Sequence, residues 1–199
     1  MNFQSDFLKS YSGSVPLFPL PDFVLFPLTG HTFRIFEKRY KEMVKTVLRD
    51  EKFIGNAHIY PDDTTPLSGN PKIYSIGTLS RIINHKEIDN GEYLISVFGI
   101  KKVQFFEAEL SHSYRVAATQ FIEDITIIPQ ENDQRKKLFR SFNRLVEMSS
   151  GSIEIDIFNA PGLTTEMMVN MICQALPIPW GEQQKLLELP DISLRLEVL

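Results

Sequence analysis

The chain has 199 residues, of which 43% are hydrophobic and 23% charged, proportions typical of a folded globular protein and not of a disordered one. Its 21 basic and 25 acidic side chains give a formal net charge of −4. This disfavours nucleic acid as a partner, because such affinity depends on a basic face that neutralises phosphates. The single cysteine excludes an intramolecular disulfide and indicates a cytoplasmic location, and no apolar run is long enough to predict a membrane span.

The sequence begins with a polar extension at residues 1–14, which lacks the features of a secretory signal. Residues 15–30, VPLFPLPDFVLFPLTG, place four prolines between short apolar pieces. Proline cannot donate to a sheet ladder, so we expect edge or bulged strands here and no central strand. From Phe36 to Leu48 the apolar side chains recur at helical spacing, which predicts an amphipathic helix.

A strand and a long loop follow this helix. Residues 53–60, FIGNAHIY, alternate well enough to predict the strand, and residues 61–72, PDDTTPLSGNPK, concentrate turn-forming residues into an exposed loop. Aromatic and apolar side chains on exposed loops can anchor a partner. We therefore take Tyr60, Pro66 and Leu67 as candidate peptide-binding residues.

Two long strands are predicted next, at residues 73–84 and 92–107, and they form a hairpin around the turn dipeptide Asn90-Gly91. Glycine lies inside each strand, at Gly77 and Gly99. Interior glycines often mark bulges or sharp bends, which a small closed barrel requires. The hairpin therefore favours a barrel over a flat sheet.

A strand at residues 115–122 closes the predicted β-rich half, and the composition then changes. From Pro129 onward the chain lacks a clear strand pattern. We therefore expect a β-rich subdomain at residues 15–126, followed by a helical subdomain at residues 127–199.

Helical spacing recurs throughout this second half. The first apolar stripe consists of Leu138, Phe139, Phe142, Leu145 and Val146. The second follows the capping candidates Thr164 and Thr165 and consists of Met167, Met168, Met171, Ile172 and Ala175. A last helix or helix pair covers residues 182–199, with Pro190 suited to the first turn of a new helix. Trp180, just before it, is a further candidate binding residue.

Three ordered blocks of the sequence resemble a known family. They are VPLFPLPDFVLFPLTGHTFRIFEKRYKEMVKTVLRD at residues 15–50, IGTLSRIINHKEIDNGEYLISVFGIKKVQF at residues 76–105, and QQKLLELPDISLRLEVL at residues 183–199. Together they are similar to the amino-terminal substrate-recognition domain of Lon proteases. The resemblance implies an α+β fold, in which a PUA-like β pseudo-barrel precedes a C-terminal α-helical bundle. It also implies recognition of unfolded or damaged polypeptide.

The catalytic signatures of that family are missing from this sequence. No G-x-x-x-x-G-K-[ST] phosphate loop occurs, so binding of a nucleotide by such a loop is not encoded. The resemblance covers only the recognition part and not the serine–lysine peptidase domain. We therefore expect a non-catalytic protein-binding module without a cofactor. Its partners would be unfolded polypeptides or another protein, such as a separate protease, in an oligomeric state that the sequence leaves open.

Three other types of site are suggested by single features of the sequence. A basic face on the predicted helix at residues 135–144 would suit an RNA-binding PUA-like protein. Cys173, paired with a histidine, would suit a small hydrolase, although its helical spacing with apolar neighbours indicates a buried thiol. The four histidines lie 27 residues apart each time, unlike the closely spaced pairs of zinc ligands, so no metal site is predicted.

Overall fold

The computed structural model describes residues 8–66, 69–107, 113–125 and 163–198, together with Leu138 and Arg140. The chain divides into two compact units, residues 1–122 and 123–199. The described residues form six strands and four α-helices, an α+β fold as predicted. The expected boundary at residue 126 stays a prediction, because residues 126–137 lie outside the described part. No helix within the described residues is both long enough and apolar enough to span a membrane.

Within its described residues, the first unit contains the six strands and the helix at residues Lys38–Val47. The strands are β1 (Ser14–Leu20), β2 (Gly30–Ile35), β3 (Phe53–His58), β4 (Ile76–Ile88), β5 (Glu92–Glu107) and β6 (Val116–Phe121). Their order in the sheet is β2-β5-β4-β3-β1-β6, and β5 also pairs with β6. This additional pairing closes five strands into a barrel. β2 remains outside the ring and pairs with β5.

The position of β1 corrects the prediction that its prolines exclude it from the sheet interior, because it lies between β3 and β6. The register explains why the prolines are tolerated. Residues 14–16 pair with β6 and residues 17–20 pair with β3. Leu17, at the junction, also donates its amide to the Arg115 carbonyl just before β6 at 2.8 Å. Most residues of β1 therefore have one neighbouring strand, so Pro16 and Pro19 remove few ladder hydrogen bonds.

The predicted hairpin of β4 and β5 is present, although β4 begins at Ile76 and continues to Ile88, beyond the expected end at residue 84. A short 3-10 turn joins the strands, and Asn90 and Gly91 have φ values of 63° and 64°. Asparagine and glycine tolerate this left-handed region better than other residues. Register shifts between Leu79 and Ser80 and between Ile82 and Asn84 mark irregularities in the ladder, where the strands bend.

The helix α1 (Lys38–Val47) packs on the outside of the barrel. It buries Tyr40, Met43, Val44 and Val47, and these side chains share a core with residues such as Ile54 and Ile95. A second core contains Val15, Leu17, Leu79, Val103 and Phe105. The two cores lie on opposite faces of the strands, because successive side chains of a strand point to opposite sides.

Two local expectations around α1 are wrong. Phe36 does not start the helix and is 62% exposed, because the chain is still extended at Glu37. Residues 21–29 form no strand, although Val24, Leu25 and Phe26 are buried. In both places a run of apolar residues did not indicate the regular element that the sequence predicted.

The second unit contributes α2 (Thr165–Ala175), α3 (Trp180–Glu188) and α4 (Ile192–Val198). Thr164 caps α2 as predicted, because its hydroxyl accepts a hydrogen bond from the amide of Met167 at 3.2 Å. Pro190 lies before α4 and not in its first turn. The capping role there belongs to Asp191, whose carboxylate accepts from the amide of Ser193 at 2.7 Å.

Candidate functional site

The loop that the sequence singled out begins next to an aromatic stack. Tyr60 is 42% exposed, and its ring lies 4.0 Å from that of Tyr74 with an interplanar angle of 15°. Tyr74 in turn stacks on buried His58 at 5.6 Å. Pro66 is exposed, and Leu67 lies outside the described residues. Tyr60 and Pro66 are therefore both exposed in this loop region.

The same loop is tied to the rest of the first unit by two arginine side chains. Arg39 of α1 donates from Nη1 to the carbonyl of Gly69 at 2.9 Å. Arg115 donates from Nη1 to the carbonyl of Pro71 at 2.7 Å. These hydrogen bonds fix the second half of the loop against the barrel.

Asp63 organises the loop from within. Its carboxylate accepts from the amide of Thr65 at 2.8 Å and from the amide of Lys72. Hydrogen bonds from Thr65 and from the Lys72 amide lower the pKa of Asp63 to about 2, so it is ionised at neutral pH.

Trp180, the fourth candidate, is the first residue of α3 and is 36% exposed. It belongs to the second unit, whereas Tyr60 and Pro66 belong to the first. The role of all four candidates in binding stays a prediction.

The strand β2, which sequence reasoning missed, provides a different kind of surface. Among the described residues it pairs with β5 alone, so its other side is an open sheet edge, the β2 edge. An open edge presents backbone N–H and C=O groups that another extended chain can pair with. The available signal was the alternation in GHTFRI, but six residues between a proline-rich segment and a helix make a weak pattern.

One face of β2 carries an aromatic group made of Phe23, His31 and Phe33. The His31 ring lies 4.1 Å from that of Phe23 and 4.6 Å from that of Phe33, while Phe23 and Phe33 meet edge-on at 5.4 Å. His31 is exposed, and both phenylalanines are partly buried against the core around α1. Desolvation lowers the pKa of His31, which favours a neutral imidazole at pH 7.

The opposite face of β2 is polar and cationic. Arg34 pairs in register with Leu94, and Leu94 pairs with Lys86, so these residues form one row across three strands, the Arg34 row. Arg34 donates from Nε to Glu92 at 2.7 Å and keeps a side-chain exposure of 66%. Leu94 is 37% exposed and Lys86 is exposed.

The residues that could carry chemistry do not form a reaction centre in the described part of the chain. Cys173 is buried, and desolvation raises the pKa of its thiol to about 12 although the Arg195 guanidinium opposes this shift. A protonated, inaccessible thiol is a poor nucleophile. No group of three or more His, Cys, Asp or Glu side chains among the described residues could hold a metal ion.

A cavity of about 550 Å³ lies beside the start of α1 and is lined by Glu37, Lys38, Arg39, Glu42 and Ser113. Ser113 donates to the Glu42 carboxylate at 2.8 Å, and both residues are exposed. An activated serine needs a positioned base and a third group that orients it. This lining of surface charges does not supply that arrangement.

The RNA-binding alternative depended on the predicted basic helix at residues 135–144. Of that segment, only Leu138 and Arg140 belong to the described residues. The alternative therefore lies almost wholly outside the part of the chain that the structure describes.

Comparisons with known proteins agree on one family. A family model described as the ATP-dependent protease La (LON) substrate-binding domain matches residues 14–199. The Lon protease of Anaeromyxobacter dehalogenans is 22% identical over 193 residues, which cover 93% of this chain and 22% of that protein. Lon protease 1 of Bdellovibrio bacteriovorus is 25% identical over 190 residues, which cover 92% of this chain and 24% of that protein. The chain thus spans about a quarter of the length of these relatives.

Solved structures support the fold. The N-terminal domain of the Mycobacterium avium complex Lon protease matches with a TM-score of 0.71 at 16% identity, and a Lon N-terminal domain protein from Xanthomonas campestris matches with 0.65 at 23% identity. Each match covers 93% of this chain and 95% of the other. Since the family match extends over nearly the whole sequence, this chain belongs to the Lon substrate-binding domain family.

Proposed function

We propose that this protein is a non-catalytic binding module that captures extended segments of unfolded polypeptide along the β2 edge. The observation that carries the proposal is the combination of an open strand edge with an aromatic group beside it, Phe23, His31 and Phe33. The edge offers hydrogen bonds to any extended backbone, and the aromatic rings offer apolar contact. Both interactions tolerate many sequences, as recognition of unfolded chains requires.

A binding role without catalysis is supported by the chemistry of the described residues. Cys173 is buried with a raised pKa, and the serine at the cavity beside α1 bonds to an exposed carboxylate and not to a positioned base. The family to which the chain belongs is defined by substrate binding. We propose that captured polypeptide is passed to a protease activity carried by other domains or by a separate protein partner.

The test is a titration with a fluorescently labelled, permanently unfolded polypeptide, reduced and carboxymethylated lactalbumin. We expect saturable binding, weakened in His31→Ala and Phe23→Ala, because each substitution removes part of the aromatic group. Lys185→Ala, an exposed change in the second unit, is the matched control and leaves the affinity unchanged. Absence of binding to any unfolded chain would overturn the proposal.

The same titration tests whether the candidate residues chosen from the sequence form the binding surface instead. Tyr60→Ala and Pro66→Ala test the loop, and Trp180→Ala tests the second unit; Leu67 is proposed to act with Pro66. If Tyr60→Ala abolishes binding while His31→Ala does not, the binding surface is the loop and the assignment to β2 is wrong. Circular dichroism of each variant establishes that it is folded.

A further inference from the structure

We infer that the β2 edge selects polypeptide segments in which apolar side chains alternate with polar ones and in which the polar positions carry carboxylates. This inference rests on the proposed function and adds the class of segment recognised. Such segments are amphipathic β-strands that have lost their own sheet. The two faces of β2, and the charge on one of them, determine this preference.

Strand addition imposes a defined geometry on the bound segment. A segment that pairs with β2 becomes a strand itself, so its side chains point alternately to the two faces of the extended sheet. The register with β5 assigns the faces, because directly paired residues place their side chains on the same side. Phe33 pairs with buried Ile95, whereas Arg34 pairs with half-exposed Leu94. The two faces therefore present different chemistry to successive residues of an added segment.

The aromatic face of β2 favours apolar side chains. Phe23, His31 and Phe33 form a continuous set of ring contacts between 4.1 and 5.4 Å, supported from below by Phe18, whose ring lies 5.3 Å from that of Phe33. Apolar or aromatic side chains at every second position of the segment would lie against this set. Charged side chains there would lose hydration without gaining a partner.

The Arg34 row on the opposite face favours carboxylates. Arg34 uses only Nε in its contact with Glu92, and its Nη atoms have no partner among the described residues. A guanidinium whose outer nitrogens face solvent can accept a carboxylate in paired hydrogen bonds. Lys86 adds a second positive charge in the same row, against the single negative charge of Glu92. Charge complementarity therefore favours acidic residues on this side of the segment.

Together these features define the occupant. An extended segment with apolar residues on one side and carboxylates on the other matches both faces of β2 at once. A helix-forming segment does not, because its apolar residues recur every three to four positions and its backbone groups are already paired. The protein would therefore prefer unfolded strands of β-rich clients to unfolded helices.

The experiment compares three labelled peptides about twelve residues long, the reach of one strand with its flanks. The first alternates Val or Phe with Glu or Thr, the second contains the same residues in blocks, and the third replaces each Glu of the first with Lys. We expect the alternating acidic peptide to bind about tenfold more tightly than the blocked one, because blocking removes roughly half of the apolar contacts. We expect about a threefold to fivefold advantage over the lysine peptide, as for a partly exposed charge pair.

A pair of matched variants isolates the charge. Arg34→Gln should remove most of the difference between the glutamate and lysine peptides, and raised salt should reduce it as well. Lys45→Gln, the same kind of change at an exposed position on α1, should leave the difference intact. Persistence of the difference in Arg34→Gln would overturn the role of the Arg34 row.

The outcomes separate the two proposals. If unfolded lactalbumin binds at the β2 edge but the alternating and blocked peptides bind equally, the inference about pattern fails and the proposed function stands. If no unfolded chain binds at all, both fail. If the glutamate and lysine peptides bind equally, only the preference for carboxylates is refuted, and the preference for an alternating pattern stands.

Discussion

Arg195 of α4 is completely buried and donates from Nη2 to the carboxylate of Asp124 at 3.0 Å. All three guanidinium nitrogens donate: Nε to the Leu186 carbonyl at 2.8 Å, Nη1 to the amide oxygen of Asn170 at 2.9 Å, and Nη2 also to the carbonyls of Leu187 and Leu189 at 3.1 and 3.0 Å. A buried guanidinium is tolerated when its charge is paired and its N–H groups are satisfied. One side chain therefore joins the start of the second unit to its three described helices.

This relationship predicts the consequence of removing the charge. Arg195→Met should destabilise the second unit by about 3–5 kcal/mol, because the buried Asp124 carboxylate loses the guanidinium that compensates its charge. Trp180 is the only tryptophan and belongs to this unit, so its fluorescence during urea unfolding reports the change. Lys185→Ala breaks an exposed pair with Glu182 and should cost less than about 1 kcal/mol. Equal effects of the two substitutions would refute the assignment.

Glycine at position 77 is required by close packing of the barrel. A methyl group there would collide with the backbone carbonyl of Asn56 and with the ring of Phe105. Gly77→Ala should destabilise the first unit by about 1–3 kcal/mol, since neither neighbour is a flexible chain end. Gly30→Ala is the control, because its nearest neighbour would be the Val97 carbonyl at 3.5 Å, an ordinary contact. Denaturation followed by circular dichroism should separate the two variants clearly.

His58 makes the first unit sensitive to acid. Its Nδ1 donates to the Leu20 carbonyl at 3.0 Å, so an added proton must enter at Nε2, which is buried and has no hydrogen-bond partner in the described structure. Burial lowers the pKa of His58, although the Leu20 carbonyl and the Asp22 carboxylate oppose the shift. The pKa of His58 in the folded protein lies below the unfolded value of 6.5. The neutral imidazole therefore contributes its full stability above pH 6.5, and this contribution is lost as the pH falls through the folded pKa.

The free energy of unfolding should therefore decrease between pH 7.5 and pH 5. His58→Gln, which retains a donor for Leu20 but does not titrate, should reduce that decrease. The pKa of His31 is also lowered, so His31 accounts for part of the pH dependence of stability that remains in this variant. His85→Gln, at an exposed position on β4, is the control. An unchanged pH dependence in His58→Gln would contradict this interpretation.

Cys173 should be inert in the folded protein. Burial removes the thiol from solvent and raises its pKa to about 12, so almost no thiolate exists at pH 8. We expect a disulfide reagent such as DTNB to modify it only as fast as the second unit opens, and rapidly in urea. The chain has no other cysteine, so the signal is unambiguous. Fast modification under native conditions would show that the thiol is accessible.

Local sequence patterns correctly predicted those features whose conformation is determined by residues close together in the chain. The Asn90-Gly91 turn, the α1 stripe from Tyr40 to Val47 and the Thr164 cap are each set within a few residues, and all were predicted correctly. The three ordered motif blocks also predicted the fold class and the family, and both predictions are confirmed.

Only the tertiary structure decided which strands meet. Sheet pairing joins residues far apart in sequence, so it has no local signature. This applies to the pairing of β5 with β6 that closes the barrel, to the division of β1 between two neighbours that tolerates Pro16 and Pro19, and to the open edge of β2. Burial of Arg195 also depends on distant residues, because its acceptors come from three separate segments of the chain, at Asp124, at Asn170 and at residues 186–189. The periodicity of a segment shows which of its residues share a face, but long-range packing determines what each face contacts.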